Sequence, residues 1–192
     1  MDYRMTRPLV FLDFDDVICL NSPYGGYDVL EAYAESVRSG EPIETRPALW
    51  GCLFDLAAKR HLHLLHEEFS PIYVLSTSWR WFFDRDMLVQ ILQLGGLGFV
   101  ASNLHDDWCT PQISRSAHRI AEVSQWLSRH PEAESQWVVL DDEVSCTGLH
   151  FWSHLKREFV LMCWEGKGLQ EYEFKLMRRL LKLRRSGSTW VE

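Results

Sequence analysis

The fold of this chain is decided by residues 9–18, LVFLDFDDVI, where a short apolar run ends at a group of acidic residues. Short apolar runs without alternation are typical of strands that are buried on both faces, as in a parallel sheet. Residues 72–75, IYVL, and residues 137–140, WVVL, have the same form, and a fourth run, FVLM, follows at residues 159–162. We therefore predict that these four runs are strands of one sheet.

Helical patterns separate the strand candidates. Apolar residues recur at helical spacing over residues 53–69, 86–94, 116–127 and 169–185. Because strands and helices alternate, the sequence predicts an α/β fold whose mainly parallel sheet is joined by right-handed crossovers. The length of 192 residues suits a single domain that covers residues 1–192.

The stretch from residue 21 to residue 50 does not follow this alternation. It contains three prolines and three glycines, with one candidate helix at residues 27–37. Connections of this length are commonly lids or binding segments. We predict that residues 21–50 form a small cap, inserted after the first strand and lying over the carboxyl edge of the sheet.

Composition excludes several classes of protein. The acidic balance, with 27 Asp and Glu against 20 Lys and Arg, argues against a protein that coats nucleic acid by bulk charge. No apolar run reaches the roughly 18 residues of a membrane span, and the first residues do not resemble a secretory signal. The five cysteines include no C-x-x-C pair, so we expect reduced thiols in a cytoplasmic protein.

Polar and acidic side chains follow each of the first three strand candidates. Ligands bind beyond the carboxyl ends of the strands in an open α/β sheet. This edge collects Asp13, Asp15, Asp16, Ser76, Thr77, Asp141 and Asp142. Five carboxylates in one place repel each other unless a cation or protons compensate, and Mg²⁺ binds carboxylates together with waters and phosphate oxygens. The sequence thus predicts a Mg²⁺ site that faces an anionic substrate.

The motifs at these strand ends resemble those of a known superfamily. FLDFDDVI, at residues 11–18, is similar to the D-x-D-x-V motif of the haloacid dehalogenase (HAD) superfamily. Ser76 is similar to its second motif, and Asp141 with Asp142 to its fourth. VLSTSWR, at residues 74–80, resembles the VLSSSWR of HAD domains in Swiss army knife RNA-repair proteins. Further matches follow at residues 110–111, 119–127, 139–143 and 168–169. The resemblance implies a Rossmann-like three-layer sandwich.

The resemblance also implies a phosphatase that works through an aspartyl-phosphate. Asp13 would be the nucleophile, and Asp15 would protonate the leaving oxygen and then deprotonate the hydrolytic water. Ser76 and Thr77 would bind the phosphoryl group, whose charge Arg119 would neutralise. The substrate would be a phosphomonoester, either a phosphorylated small molecule such as a nucleotide or a phosphorylated nucleic-acid end.

The metal site follows from the same resemblance. The carboxylate of Asp13, the backbone carbonyl of Asp15 and the carboxylate of Asp142 would hold Mg²⁺, with Asp141 alongside. Which of the two adjacent acids binds the metal stays open at this point.

Three features depart from the family pattern or leave alternatives open. Asp16 stands where the superfamily often has Gly. The basic residue of the third motif is often Lys, but no lysine occurs in this region, so Arg119 is the candidate and Arg115 the alternative. Arg80 follows the phosphate-binding segment and can either bind substrate or pair with Asp84. The extra acid and the missing lysine motivate a second hypothesis, a phosphate- or metal-binding regulatory module of the same fold without turnover.

Three other segments receive weaker predictions. Residues 105–108, HDDW, are expected in a loop that can contact substrate. His61, His63 and His66 are expected at the surface rather than in a metal site, because they lack an H-E-x-x-H pattern. The basic face of the helix at residues 169–185 can guide a nucleic-acid end if it borders the site.

Overall fold

A computed structural model describes residues 7–113 and 118–186 of the chain. Its centre is a five-stranded sheet in the order β3-β2-β1-β4-β5, in which every pair of neighbouring strands is parallel. The strands are β1 (Leu9–Leu12), β2 (Ile72–Leu75), β3 (Leu104–Cys109), β4 (Trp137–Asp142) and β5 (Val160–Cys163). The predicted α/β fold with a parallel sheet is therefore confirmed.

Helices connect the strands and pack against the sheet. They are α1 (Gly26–Ser39), α2 (Pro47–Cys52), α3 (Leu56–Phe69), α4 (Arg85–Leu94), α5 (Gly98–Ala101), α6 (Arg119–Arg129), α7 (His154–Arg157) and α8 (Glu171–Arg185). Four of the described starts, those of α3, α4, α6 and α7, are capped by a side chain that accepts from a backbone amide of the first turn. Asp55 accepts a hydrogen bond from the backbone amide of Ala58, which explains why α3 begins later than the apolar pattern does. No described helix is long and apolar enough to cross a membrane.

The central position of β1 brings three strand ends to one place. Leu9 pairs with Ile72 on one side and with Trp137 on the other, so β1, β2 and β4 run in step. At the carboxyl edge, the amide of Ser76 donates to the carbonyl of Leu12 at 2.8 Å. The residues that follow these three strands therefore lie side by side, as expected for parallel strands.

The strand β3 was not predicted from the sequence. Residues 105–108 were expected in a loop, and this prediction was wrong, because they lie inside β3. In the described sheet β3 is an edge strand that pairs with β2 alone, and its register shifts between Tyr73 and Leu75. An edge strand has one free side and needs no continuous apolar run, so a polar sequence such as LHDDWC can occupy it.

Residues 21–50 share the hydrophobic core of the sheet, and their first part lies beside the residues that follow β1 and β2. Val29 and Ala32 of α1 are buried, and so is Trp50 of α2, whose indole Nε1 donates to the carbonyl of Ile43 at 3.0 Å. The backbone of Gly26, at the start of α1, faces the ring of Trp79 so closely that an added Cβ would lie 3.0 Å from it. This segment therefore forms a wall next to the residues that follow β2.

Candidate active site

Three buried carboxylates lie at the carboxyl ends of the two central strands. Asp13 directly follows β1, and Asp141 and Asp142 are the last residues of β4. Each offers a carboxylate oxygen within 4.8 Å of the other two. The Oδ2 atoms of Asp13 and Asp142 are buried without a hydrogen-bond partner among residues 7–113 and 118–186. Because buried oxygens rarely go unpaired, this donor set fits a hard cation with oxygen ligands.

Local hydrogen bonds orient the two acids of β4 differently. Asp142 Oδ1 accepts from the amides of Val144 and Ser145, at 2.7 and 2.8 Å, which leaves its Oδ2 for another partner. Both oxygens of Asp141 are engaged, Oδ1 by the amide of Asp142 at 2.9 Å and Oδ2 by Arg119 at 3.0 Å. The arrangement thus favours Asp142 over Asp141 as a metal ligand.

Because the three carboxylates are buried, keeping them all charged is unfavourable unless a cation is present. The pKa of Asp13 is raised well above its usual range, first by burial and then by the nearby charge of Asp141. Burial also raises the pKa of Asp141 to about 7, although Arg119 opposes the shift. A bound divalent cation or protons would relieve the cost of holding these carboxylates together.

Arg119, the first residue of α6, supplies the cationic side chain of the site. Its Nε lies 3.0 Å from Asp141 Oδ2, and its Nη2 lies 3.4 Å from Asp13 Oδ1. Burial alone would lower the pKa of Arg119, but the carboxylates of Asp13 and Asp141 hold it above its usual value. The guanidinium therefore stays charged beside the proposed nucleophile. The alternative candidate, Arg115, lies outside the described residues.

A buried acid that the sequence analysis did not assign to the site joins two arginines. Glu122, one turn along α6, lies with Oε2 3.4 Å from Arg119 and with Oε1 2.6 Å from Arg80. The side chains of Glu122 and Arg80 are 6% and 5% exposed. Arg80 also donates to the carbonyl of Thr110, whereas Asp84 caps α4 by accepting from the amide of Met87. The suggested pairing of Arg80 with Asp84 is thus replaced by a buried pair with Glu122.

Asp15 occupies a different environment from the buried cluster. It lies in a tight turn in which the amides of Ile18 and Cys19 both donate to the carbonyl of Phe14. The carboxylate of Asp15 is half-buried, and its Oδ2 accepts from the indole Nε1 of Trp79 at 3.0 Å. Its Oδ1 accepts from Asn21 at 3.3 Å. A half-exposed carboxyl held by a neutral donor can exchange protons with a ligand and with water.

Asp16 has a structural role in the same turn. Its φ of 54° lies in the left-handed region, which glycine and aspartate tolerate better than most residues. Its Oδ1 accepts from the amide of Gly166 at 2.8 Å, which links this turn to the loop after β5. The carboxylate of Asp16 is therefore bonded to the loop after β5 and not to the three-carboxylate cluster.

Hydroxyl groups line the ends of β2 and β3. Ser76 and Thr77 are fully buried, and Thr77 Oγ1 accepts from the amide of Trp79 at 3.4 Å. In the described part of the chain, Ser76 Oγ has no hydrogen-bond partner, and neither has the Oγ1 of Thr110, which follows β3 beside it. The sequence marked Thr110 only by its resemblance to the family pattern, without a role in the site. Its position at the sheet edge was hidden because β3 itself was not predicted.

The basic end of α8 lies away from the carboxylate cluster. Arg184 of α8 donates to the carbonyl of Trp137, at the start of β4, whereas Asp141 and Asp142 end that strand. The basic end of α8 therefore sits at the opposite edge of the sheet. His61 was expected at the surface but is buried, where its Nδ1 lies 2.9 Å from the carbonyl oxygen of Leu169.

The parallel sheet, the acidic cluster at its carboxyl edge and the arginine beside it define an α/β protein of the HAD type. A family model described as the HAD domain in Swiss Army Knife RNA repair proteins matches residues 9–174, and the chain belongs to this family. Comparisons with curated proteins and with solved structures gave no significant match. Membership of an HAD family indicates a phosphatase-type hydrolase, and the cluster of three aspartates can bind a metal ion.

Proposed function

We propose that the protein is a Mg²⁺-dependent phosphomonoester hydrolase in which Asp13 is the nucleophile. One observation carries the proposal: Asp13 Oδ2 is buried at the end of the central strand, next to the guanidinium of Arg119, and no described residue forms a hydrogen bond to it. An unpaired buried carboxylate oxygen beside a fixed cation is suited to attack an anionic group.

The proposed reaction has two steps. In the first, Asp13 Oδ2 forms a bond to phosphorus while the bond from phosphorus to the ester oxygen breaks, and Asp15 gives its proton to that oxygen. In the second, Asp15 takes a proton from water, whose oxygen attacks phosphorus and releases phosphate from Asp13. Arg119 neutralises the phosphoryl oxygens, and the unpartnered hydroxyl of Ser76 donates a hydrogen bond to one of them.

The residues present fit a divalent cation. Asp142 would hold it through Oδ2 and Asp13 through the carboxylate oxygen that does not attack phosphorus, together with the backbone carbonyl of Asp15. When bound, Mg²⁺ would offset the charge of the carboxylates and of the phosphoryl group and fix their relative positions. We propose as its substrates phosphorylated small molecules such as nucleotides, or phosphorylated nucleic-acid ends.

A phosphate-release assay tests the proposal. Purified protein is expected to hydrolyse a generic aryl phosphate with Mg²⁺ and to lose this activity with EDTA. Asp13→Asn removes the nucleophile and is expected to lower kcat by at least about a thousandfold. Asp16→Asn is the matched control, since Asp16 lies in the same turn but is bonded to Gly166, and it is expected to retain activity.

A substrate panel then identifies the class of phosphomonoester. It compares nucleotides, 3′- and 5′-phosphorylated oligonucleotides and sugar phosphates. Wild-type activity in Asp13→Asn would exclude the proposed nucleophile. Mg²⁺-dependent phosphate binding without turnover of any member of the panel would instead support a regulatory module of the same fold.

A further inference from the structure

A cavity of about 370 Å³ opens beside the carboxylate of Asp15. Residues 21–30 form one side of it, and the segment after β2 forms the other. Four aromatic residues line it, namely Tyr27, Trp79, Phe82 and Phe83. If Asp15 protonates the leaving oxygen, whatever is attached to that oxygen must extend into the space next to Asp15. The cavity adjoins the carboxylate of Asp15 and can therefore receive this part of the substrate.

Two of the aromatic side chains are unusually accessible. Tyr27 is 88% exposed and Phe82 is 60% exposed, whereas Trp79 is 3% exposed and packs edge-on against Phe14. Single exposed apolar side chains are common on protein surfaces and need no explanation. Tyr27 and Phe82, in contrast, lie on the wall of one cavity, beside the proposed acid Asp15. Their rings therefore offer apolar faces to a ligand in that cavity.

The charges of the cavity define what it can accept. Among the residues that the structure describes, the lining includes the acids Asp15 and Asp28 but no lysine, arginine or histidine. Asp28 accepts from the amide of Gly25 at 2.8 Å, so its charge is held in place at the helix start. A second phosphate or a carboxylate in this cavity would meet negative charge without a cation to offset it. The lining therefore favours an uncharged group with a flat apolar surface.

We propose that this cavity binds the leaving group of the substrate and selects an uncharged planar ring, of the size and chemistry of a nucleobase, by stacking on Tyr27 and Phe82. The inference rests on the proposed function and narrows its substrate class to nucleoside monophosphates. Base stacking on aromatic side chains tolerates all bases, because each has a π face. The site is expected to distinguish substrates with the ring from substrates without it, and monophosphates from diphosphates, more strongly than it distinguishes one base from another.

The test compares adenosine 5′-monophosphate with ribose 5-phosphate, which lacks the base. Tyr27→Ala and Phe82→Ala are each expected to lower the ratio of the two kcat/KM values about tenfold, through KM rather than kcat. Tyr27→Phe keeps the ring and is expected to keep the ratio. Tyr172→Ala is the matched control, since Tyr172 is 66% exposed on α8 and is absent from the cavity lining. Truncation at such exposed positions does not threaten the fold.

A binding measurement separates this inference from the proposed function. In the Asp13→Asn background with Mg²⁺, calorimetry is expected to show an about tenfold higher Kd for adenosine 5′-monophosphate when Tyr27→Ala is added. This readout does not require turnover. An unchanged ratio and an unchanged Kd in both alanine variants would overturn the inference, as would faster hydrolysis of adenosine diphosphate than of the monophosphate. Absence of phosphate release with intact ring-dependent binding would overturn the proposed function instead.

Discussion

Glu122→Gln is the substitution that most directly tests how the site is held together. The side chain of Glu122 is 6% exposed and lies between two arginines, at 2.6 Å from Arg80 and 3.4 Å from Arg119. Glutamine preserves the volume but removes the charge, and its amide can accept from one guanidinium only while its NH₂ group faces the other. The substitution therefore leaves a buried cation without its counter-charge.

The expected cost follows from this burial. Breaking a buried ion pair by removing one partner typically costs about 3–5 kcal/mol. Because Glu122→Gln keeps one hydrogen bond, we expect a loss at the low end of this range, about 3 kcal/mol. Burial already lowers the pKa of Arg80, which the charge of Glu122 opposes. Arg119 keeps Asp13 and Asp141 as partners, so we expect catalysis to weaken about tenfold rather than to vanish.

Urea denaturation and phosphate release measure the two effects. The free energy of unfolding is expected to fall by about 3 kcal/mol, with an about 6–12 °C lower Tm. Glu134→Gln is the matched control, because Glu134 pairs with Lys156 at the surface and its loss is expected to change little. Equal stability losses in Glu122→Gln and Glu134→Gln would refute the claim that the buried pair holds the two arginines.

Three further predictions follow from the same structure. Because burial raises the pKa of Asp141 to about 7, the metal-free fold is stabilised by this protonated group at about pH 4 and loses that contribution as the pH rises through about 7. In EDTA, the Tm is thus expected to fall as the pH rises from about 4 to about 7. Mg²⁺ is expected to raise the Tm more at about pH 8 than at about pH 5. A Tm that rises with pH in EDTA would contradict this prediction. Trp79→Phe removes the donor to Asp15 and is expected to lower kcat about tenfold in the phosphate-release assay, and an unaltered kcat would show that the indole does not orient this acid. Gly168→Ala is expected to cost about 2 kcal/mol in urea unfolding, because φ is 66° and the new Cβ would lie 2.8 Å from the carbonyl oxygen of Val17; a neutral result would mean that the loop shifts freely.

Much of the sheet was predictable because its central strands carry the information locally. β1, β2 and β4 are short apolar runs, and burial on both faces requires such runs whatever the rest of the chain does. The acidic residues after β1 and β4 were predicted to meet for an equally simple reason: parallel strands end at one edge.

The edge strand and the buried network had no comparable local signal. β3 reads LHDDWC, and only its pairing with β2 makes it a strand. The contact between Arg80 and Glu122 joins residues that are 42 positions apart, from the turn after β2 and from α6. Because charged residues are usually exposed, the sequence alone suggested either substrate binding by Arg80 or a pairing with the nearby Asp84.

The sequence by itself determined the class of fold and the acidic residues at its carboxyl edge, since both follow from apolar strand runs and from what comes directly after them. Only the tertiary structure decided which acid keeps a free oxygen. Asp141 is engaged by Arg119, and Asp142 is turned by backbone amides of the following turn. The same holds for the aromatic cavity beside Asp15, whose two sides come from separate segments of the chain. Spacing along a chain predicts which residues share an edge, but hydrogen bonds and packing between distant segments decide where each side chain points.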